Sequence, residues 1–111
     1  MQKKFSVTID GNVYNNVYLL KGTYPNGEIG LILMDDHGFL CMLTVSVDFL
    51  PCNTVALNTS EVPKIEKIVQ DLGIGKLTGS VGYDGYCECP LCKLDMDRID
   101  ELCGKGGTAD E

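Results

Sequence analysis

The chain is 111 residues long, enough for one domain of ordinary size and too short for two. Its 44% hydrophobic and 23% charged residues are typical of a globular protein rather than a disordered one, and no apolar run approaches the roughly 18 residues that span a bilayer. Nine basic against 16 acidic residues leave a net charge of −7, which repels phosphate backbones and argues against direct nucleic-acid binding. The first residues carry Lys3 and Lys4 but run on into an alternating segment where a secretory leader is continuously apolar, so a cytoplasmic location is expected.

In chain order, Phe5, Val7 and Ile9 recur at period two around Ser6 and Thr8, the pattern of a half-buried strand. Asp10-Gly11 supplies a tight turn, and Val13 to Tyr24, rich in β-branched and aromatic side chains, returns antiparallel. Pro25-Asn26-Gly27 predicts a second hairpin, leading to a third strand with Ile29, Leu31 and Leu33 on one face. Asp35-Asp36-His37-Gly38 closes the next turn. Phe39, Cys41, Leu43, Val45 and Val47 then alternate with five other residues, predicting one long strand whose first set faces the core. Pro51 interrupts this pattern, and Val55 and Leu57 suggest a short fifth strand.

The period then changes. Val62, Ile65, Ile68, Val69 and Leu72 lie three or four apart, predicting a helix over 61–72 with Ser60 as its N-cap, Pro63 in the first turn and Gly73 as the left-handed residue that ends it. Five glycines between Gly73 and Gly85 predict a loop. Tyr86 to Asp95 is read as a last strand followed by a short helix. A helix running from Pro90 would instead align Cys92, Met96, Ile99 and Cys103. The segment 104–111, with three glycines, is expected to fray as a tail on a domain of residues 1–103. The expected fold is α+β: an antiparallel meander of about five strands, one packed helix and a final strand.

The cysteines are the densest chemical constellation. Cys87, Cys89 and Cys92 spell C-x-C-x-x-C, and with Cys103 they supply four soft ligands for one zinc ion, although a structural zinc site usually shows two paired knuckles. Cys89-Pro90-Leu91-Cys92 also reads as a dithiol, but it follows a β-meander instead of the first strand of an α/β pattern. The bland reading is six small buried or free thiols. Gly75-Lys76 lacks the glycine that a phosphate loop needs five positions earlier, since Gln70 stands there. His37 is the sole histidine and has no triad partner, so no catalytic set is complete and no enzyme activity is expected. Asp95, Asp97 and Asp100 lack the turn glycine of a calcium loop.

Acidity is concentrated late in the chain. From Asp84 to Glu111 eight acids stand against Lys93, Arg98 and Lys105, a patch that aids solubility or steers the protein toward a basic groove. The candidate contacts with such a partner are Asp35, Asp36, Tyr83, Tyr86, Asp95, Asp97, Asp100 and Glu101.

Lys21-Gly22-Thr23-Tyr24-Pro25-Asn26-Gly27, Leu43-Thr44-Val45, Asn58-Thr59, Gly73-Ile74-Gly75, Thr78-Gly79, Gly85-Tyr86-Cys87 and Pro90-Leu91 appear in an order that resembles a family of small proteins of unknown function, over residues 3 to 95. That family occurs in Firmicutes and Bacteroides, often on phages and other mobile elements. The resemblance implies a compact, cytoplasmic, non-membrane protein without an assigned activity. It also implies aromatic residues where Cys89 and Cys92 stand, which would make a zinc site peculiar to this chain. Its habitat points to an anti-defence role, an anti-CRISPR-like inhibitor acting on a host nuclease complex by protein contact. The alternative is a zinc-stabilised or thiol-redox protein using the cysteine cluster, and no other cofactor is expected.

Overall fold

The computed structural model describes residues 3–103. The tail expected at 104–111 lies outside the described residues. Eight strands and two helices follow in the order β1 (Phe5–Ile9), β2 (Asn12–Thr23), β3 (Ile29–Asp35), β4 (Gly38–Met42), β5 (Thr44–Val45), β6 (Thr54–Leu57), α1 (Ile65–Leu72), β7 (Gly75–Asp84), β8 (Cys87–Leu94) and α2 (Met96–Cys103). The fold is α+β. Its first sheet is a meander, β1-β2-β3-β4, and a second four-stranded sheet has the order β5-β6-β8-β7, with antiparallel pairing throughout.

Local chemistry sets the hairpins. Asp10 and Gly11 both hold positive φ, 51° and 81°, the geometry of a two-residue turn whose twist matches the strands it joins. At the second hairpin the Gly27 N–H donates to Tyr24 O (2.8 Å) and the Tyr24 N–H to Glu28 O (2.8 Å), so a three-residue loop closes with Gly27 at φ 87°. In the third turn the Asp35 carboxylate accepts the His37 N–H at 2.8 Å.

The long strand expected from Phe39 to Asp48 is two strands in two sheets. Leu33 pairs with Cys41 but Met34 pairs with Phe39, so Leu40 is an extra residue in β4. One inserted residue reverses the facing of all that precede it, and Phe39 is accordingly 65% exposed while Leu33 is buried. The chain then crosses between sheets at Leu43, which is 0% exposed. Its N–H donates to Leu31 O in the first sheet (2.9 Å) and its carbonyl accepts the Asn58 N–H (3.0 Å) just beyond β6. The Thr44 hydroxyl reinforces this corner by accepting the Leu31 N–H (3.2 Å) and sharing a hydrogen bond with the Tyr24 hydroxyl (2.9 Å).

Helix α1 begins later than its stripe suggested. Val62, Ile65, Ile68, Val69 and Leu72 are all buried as expected, yet residues 59–64 are turns and Lys64, in a left-handed conformation at φ 57°, occupies the N-cap without a side-chain bond. Asn58 accounts for the delay. Its buried side-chain amide donates to Met42 O (3.1 Å) and to the Glu61 carboxylate (3.2 Å), while its backbone carbonyl accepts the Val62 N–H (3.0 Å), so these residues form a turn anchored on the sheet instead of a first helical turn. Gly73 does end the helix at φ 70°, ψ 22°, with its N–H on Val69 O and Gln70 O, and Ile74 behind it is fully buried.

The glycine-rich segment is a strand, not the expected loop. Two of its glycines serve close packing. A Cβ on Gly75 would lie 2.5 Å from Cys92 Sγ and 2.8 Å from Lys93 O, and one on Gly82 would press on Leu91 and Val47 at 3.2 and 3.3 Å. The bulge falls between Leu77 and Val81, where β7 carries more residues than β8 opposite. The final strand and short helix stand where the sequence places them. Asp95 caps α2 by accepting the Arg98 N–H on its carboxylate (3.1 Å), and Arg98 Nε donates to Leu72 O at the end of α1 (3.0 Å), binding the two helices at their termini.

The core lies between the sheets and under the helices, with Val17, Leu19, Leu31, Leu33, Leu43, Leu57, Ile65, Ile74 and Ile99 at its centre. Phe5, Ile9, Cys41 and Val45 are half-buried at its margin.

Candidate functional site

The four cysteines proposed as metal ligands do not converge. Strand β8 is regular, with Leu77 opposite Cys92, Gly82 opposite Cys89 and Asp84 opposite Cys87. At period two, Cys87 and Cys89 therefore share one face of the strand and Cys92 takes the other, toward Gly75 and the core. The three-residue step of C-x-x-C gathers ligands in a loop or on a helix and separates them in a strand. Cys103 sits buried on α2. Among the described residues no group of three or more His, Cys, Asp or Glu is placed to hold a metal ion.

The buried thiols are suited to packing. Burial pushes the Cys92 thiol, and that of Cys41, up to about 11. Burial likewise raises Cys103, with Lys21 opposing and Asp100 adding to the shift. A thiol held protonated at neutral pH is a poor nucleophile. For Cys41 and Cys92 the native state retains its protons above the unfolded value near 9, so their contribution to stability is complete below about pH 9 and is lost as pH rises to about 11. Denaturant midpoints measured from pH 7 to 11 are expected to fall over that window, and Cys92→Ala should flatten the fall. Thiol labelling at pH 8 should modify the exposed Cys52 and Cys87 well before Cys41, Cys92 and Cys103. Rapid labelling of Cys92 in the folded protein would contradict this placement.

The candidate contact residues fall into two groups. Asp36 accepts Lys4 Nζ (3.3 Å) and Asn16 Nδ2 (3.1 Å), Asp100 accepts Lys21 Nζ (3.2 Å), and Glu101 pairs with Lys3 (3.7 Å) and with Arg98. The Lys3 N–H also donates to Leu102 O (3.0 Å), tying the start of the chain to the end of α2. Asp35 and Asp95 are occupied within the turn and the cap already described, and Asp97 is exposed in the first turn of α2. Exposed pairs of this kind contribute about 0–1 kcal/mol each. They leave the acids available to a stronger cationic partner.

Tyr83 and Tyr86 stand at the other end of β8, about 23 Å along the strand from α2 at its ordinary rise. Pairing of β6 with β8 ends at Ala56 and Leu91, so from Val81 to Pro90 the β7–β8 hairpin continues as a two-stranded ribbon. Gly85 at φ 66° turns it, Tyr86 at the tip is fully exposed, and Tyr83 is 62% exposed. Phe49 went unrecognised in the sequence. It is 98% exposed and held at φ 63°, in the loop whose Val47 packs near Gly82 of the ribbon. Its only sequence signal is its place in the break before Pro51.

Cavities also open among the described residues. One of about 520 Å³ lies between β1 and α1, floored by Val7, Ile68 and Leu72 and edged by the Lys67–Asp71 ion pair. A shallower one of about 420 Å³ lies beside Gly75, Lys76 and Lys93, near the foot of the glycine-rich strand. No helix among the described residues is long and apolar enough to cross a membrane. Comparison with protein-family models, curated proteins and solved structures yields no match to this chain.

Proposed function

We propose that this chain is a small, acidic, non-catalytic binding protein that acts by protein–protein contact with a basic surface. The observation that carries the reading is the disposition of its cations. No Lys or Arg occurs from Gly22 to Pro63, nor from Leu77 to Cys92. Of the eight cations among the described residues, Lys3, Lys4, Lys21, Lys67 and Arg98 are engaged by carboxylates and Lys93 by the Cys52 carbonyl at 2.9 Å. With 16 acids against nine cations the net field is negative, which speeds encounter with a basic partner and disfavours acidic ones. The separation of Cys89 from Cys92 by the strand's alternation favours this reading over the zinc or redox alternative. The family resemblance adds the biological setting: an anti-defence protein of a phage or mobile element, anti-CRISPR-like, seated on a host nuclease complex.

The test is affinity capture of the tagged protein from nuclease-treated lysate of its host. One stoichiometric partner is expected, eluting as salt is raised and weakened about tenfold by Asp97→Asn with Asp100→Asn, within the range for charges at such contacts. Those two positions are chosen because Asp95 also caps α2, so its replacement would confound binding with folding. Capture that is empty at every salt concentration, or that is indifferent to salt, would overturn the proposal.

A further inference from the structure

The β7–β8 ribbon has features that a solubilising surface does not need. In antiparallel register Tyr83 stands opposite Glu88 and Val81 opposite Pro90, so these four side chains share one face. Tyr83, Val81 and Glu88 on that face are exposed. A phenol ring and a carboxylate about 5 Å apart at their Cβ atoms form a pair that one planar cation can use together. A guanidinium stacks on the ring and donates two parallel hydrogen bonds to the carboxylate, whereas an ammonium, a compact point charge, serves only one of these well. The absence of any Lys or Arg between Leu77 and Cys92 leaves the ribbon without an internal cation to occupy the pair. The exposed ring of Tyr86 at the tip of the ribbon adds a large rigid side chain of the kind that anchors protein interfaces.

We infer that the Tyr83–Glu88 face of the ribbon is a receptor for an arginine side chain, and that the basic partner engages this end of the molecule through arginine rather than lysine. The inference rests on the binding-protein reading and deepens it by naming the contact surface and its chemistry. It adds a contact about 23 Å along β8 from the acids of α2, which engage the same basic partner at the other end.

The test uses the full chain, isotope-labelled, with two peptide probes of alternating glycine and cation, one built on arginine and one on lysine. Amide shifts on adding the arginine peptide are expected to concentrate at residues 81–88. The lysine peptide should bind about fivefold more weakly, and Tyr83→Ala or Glu88→Gln should weaken the arginine peptide about tenfold, as loss of a stacked or charge-assisted contact does. Both residues are exposed, so the variants retain the fold, which their unchanged spectra elsewhere would verify. Asp97→Asn with Asp100→Asn should alter this affinity less than twofold. Shifts confined to α2, equal affinity for the two peptides, or self-association of the protein through the ribbon in sedimentation would each overturn the inference and leave the binding reading standing. No shift anywhere with either peptide would count against both.

Discussion

Replacing Gly75 with alanine is expected to destabilise the protein by about 2–3 kcal/mol, a fall in melting temperature of roughly 10 °C. Gly75 begins β7 opposite Leu94, and its added methyl would meet Cys92 Sγ at 2.5 Å and Lys93 O at 2.8 Å. The sulfur belongs to a core side chain and the oxygen to a paired strand, so neither yields without moving β8. Thermal melts of the variant beside Ser80→Ala, an exposed site on the same strand, check the effect, and Ser80→Ala should be near neutral. Adding Cys92→Ala should return part of the loss, because it removes the closer of the two clashes. A double variant whose cost is the plain sum of the single ones would show that the strands do not meet as described.

A comparable loss, about 3 kcal/mol, is expected for Leu43→Ala. The side chain is fully buried, and its backbone is the hinge of the two sheets, hydrogen-bonded to Leu31 on one side and Asn58 on the other. Because one residue belongs to both halves of the core, the variant should still unfold in a single transition at a lower denaturant midpoint, read alike by far-ultraviolet circular dichroism and tyrosine fluorescence. Two separated transitions would mean that the sheets are independent units and that Leu43 is a tether between them.

The parts of this fold legible in the sequence are those fixed by neighbours in the chain. Asp10-Gly11 and Asn26-Gly27 specify their hairpins through backbone geometry alone, and Val62 to Leu72 announces a helical face because its spacing is local. The switch from strand to helix at Asp95 is of the same kind. What escaped was decided by contacts between distant residues. Nothing around Leu40 marks the bulge that turns Phe39 outward, and the glycines of β7 read as a loop until Cys92, Leu91 and Val47 are brought against them. The cysteine spacing misleads for a related reason: it is meaningful only once the local conformation is known, and a strand distributes C-x-x-C across two faces. The Tyr83–Glu88 pair was half visible, since Tyr83 was singled out, but its partner is defined by register.

The order of the strands bears on how the chain matures during synthesis. The first sheet joins each strand to the one made just before it, so it can assemble as it leaves the ribosome. The second cannot. Strand β6 takes β8 as its neighbour, Thr54 pairing with Lys93, and all of α1 and β7 must be translated before that pairing is available. Until that long-range pairing forms, the apolar Val55, Ala56 and Leu57 lack their closing strand and present an open edge of the type that recruits other chains. Aggregation that competes with folding is therefore expected to start at this edge, in the time before β8 docks on β6.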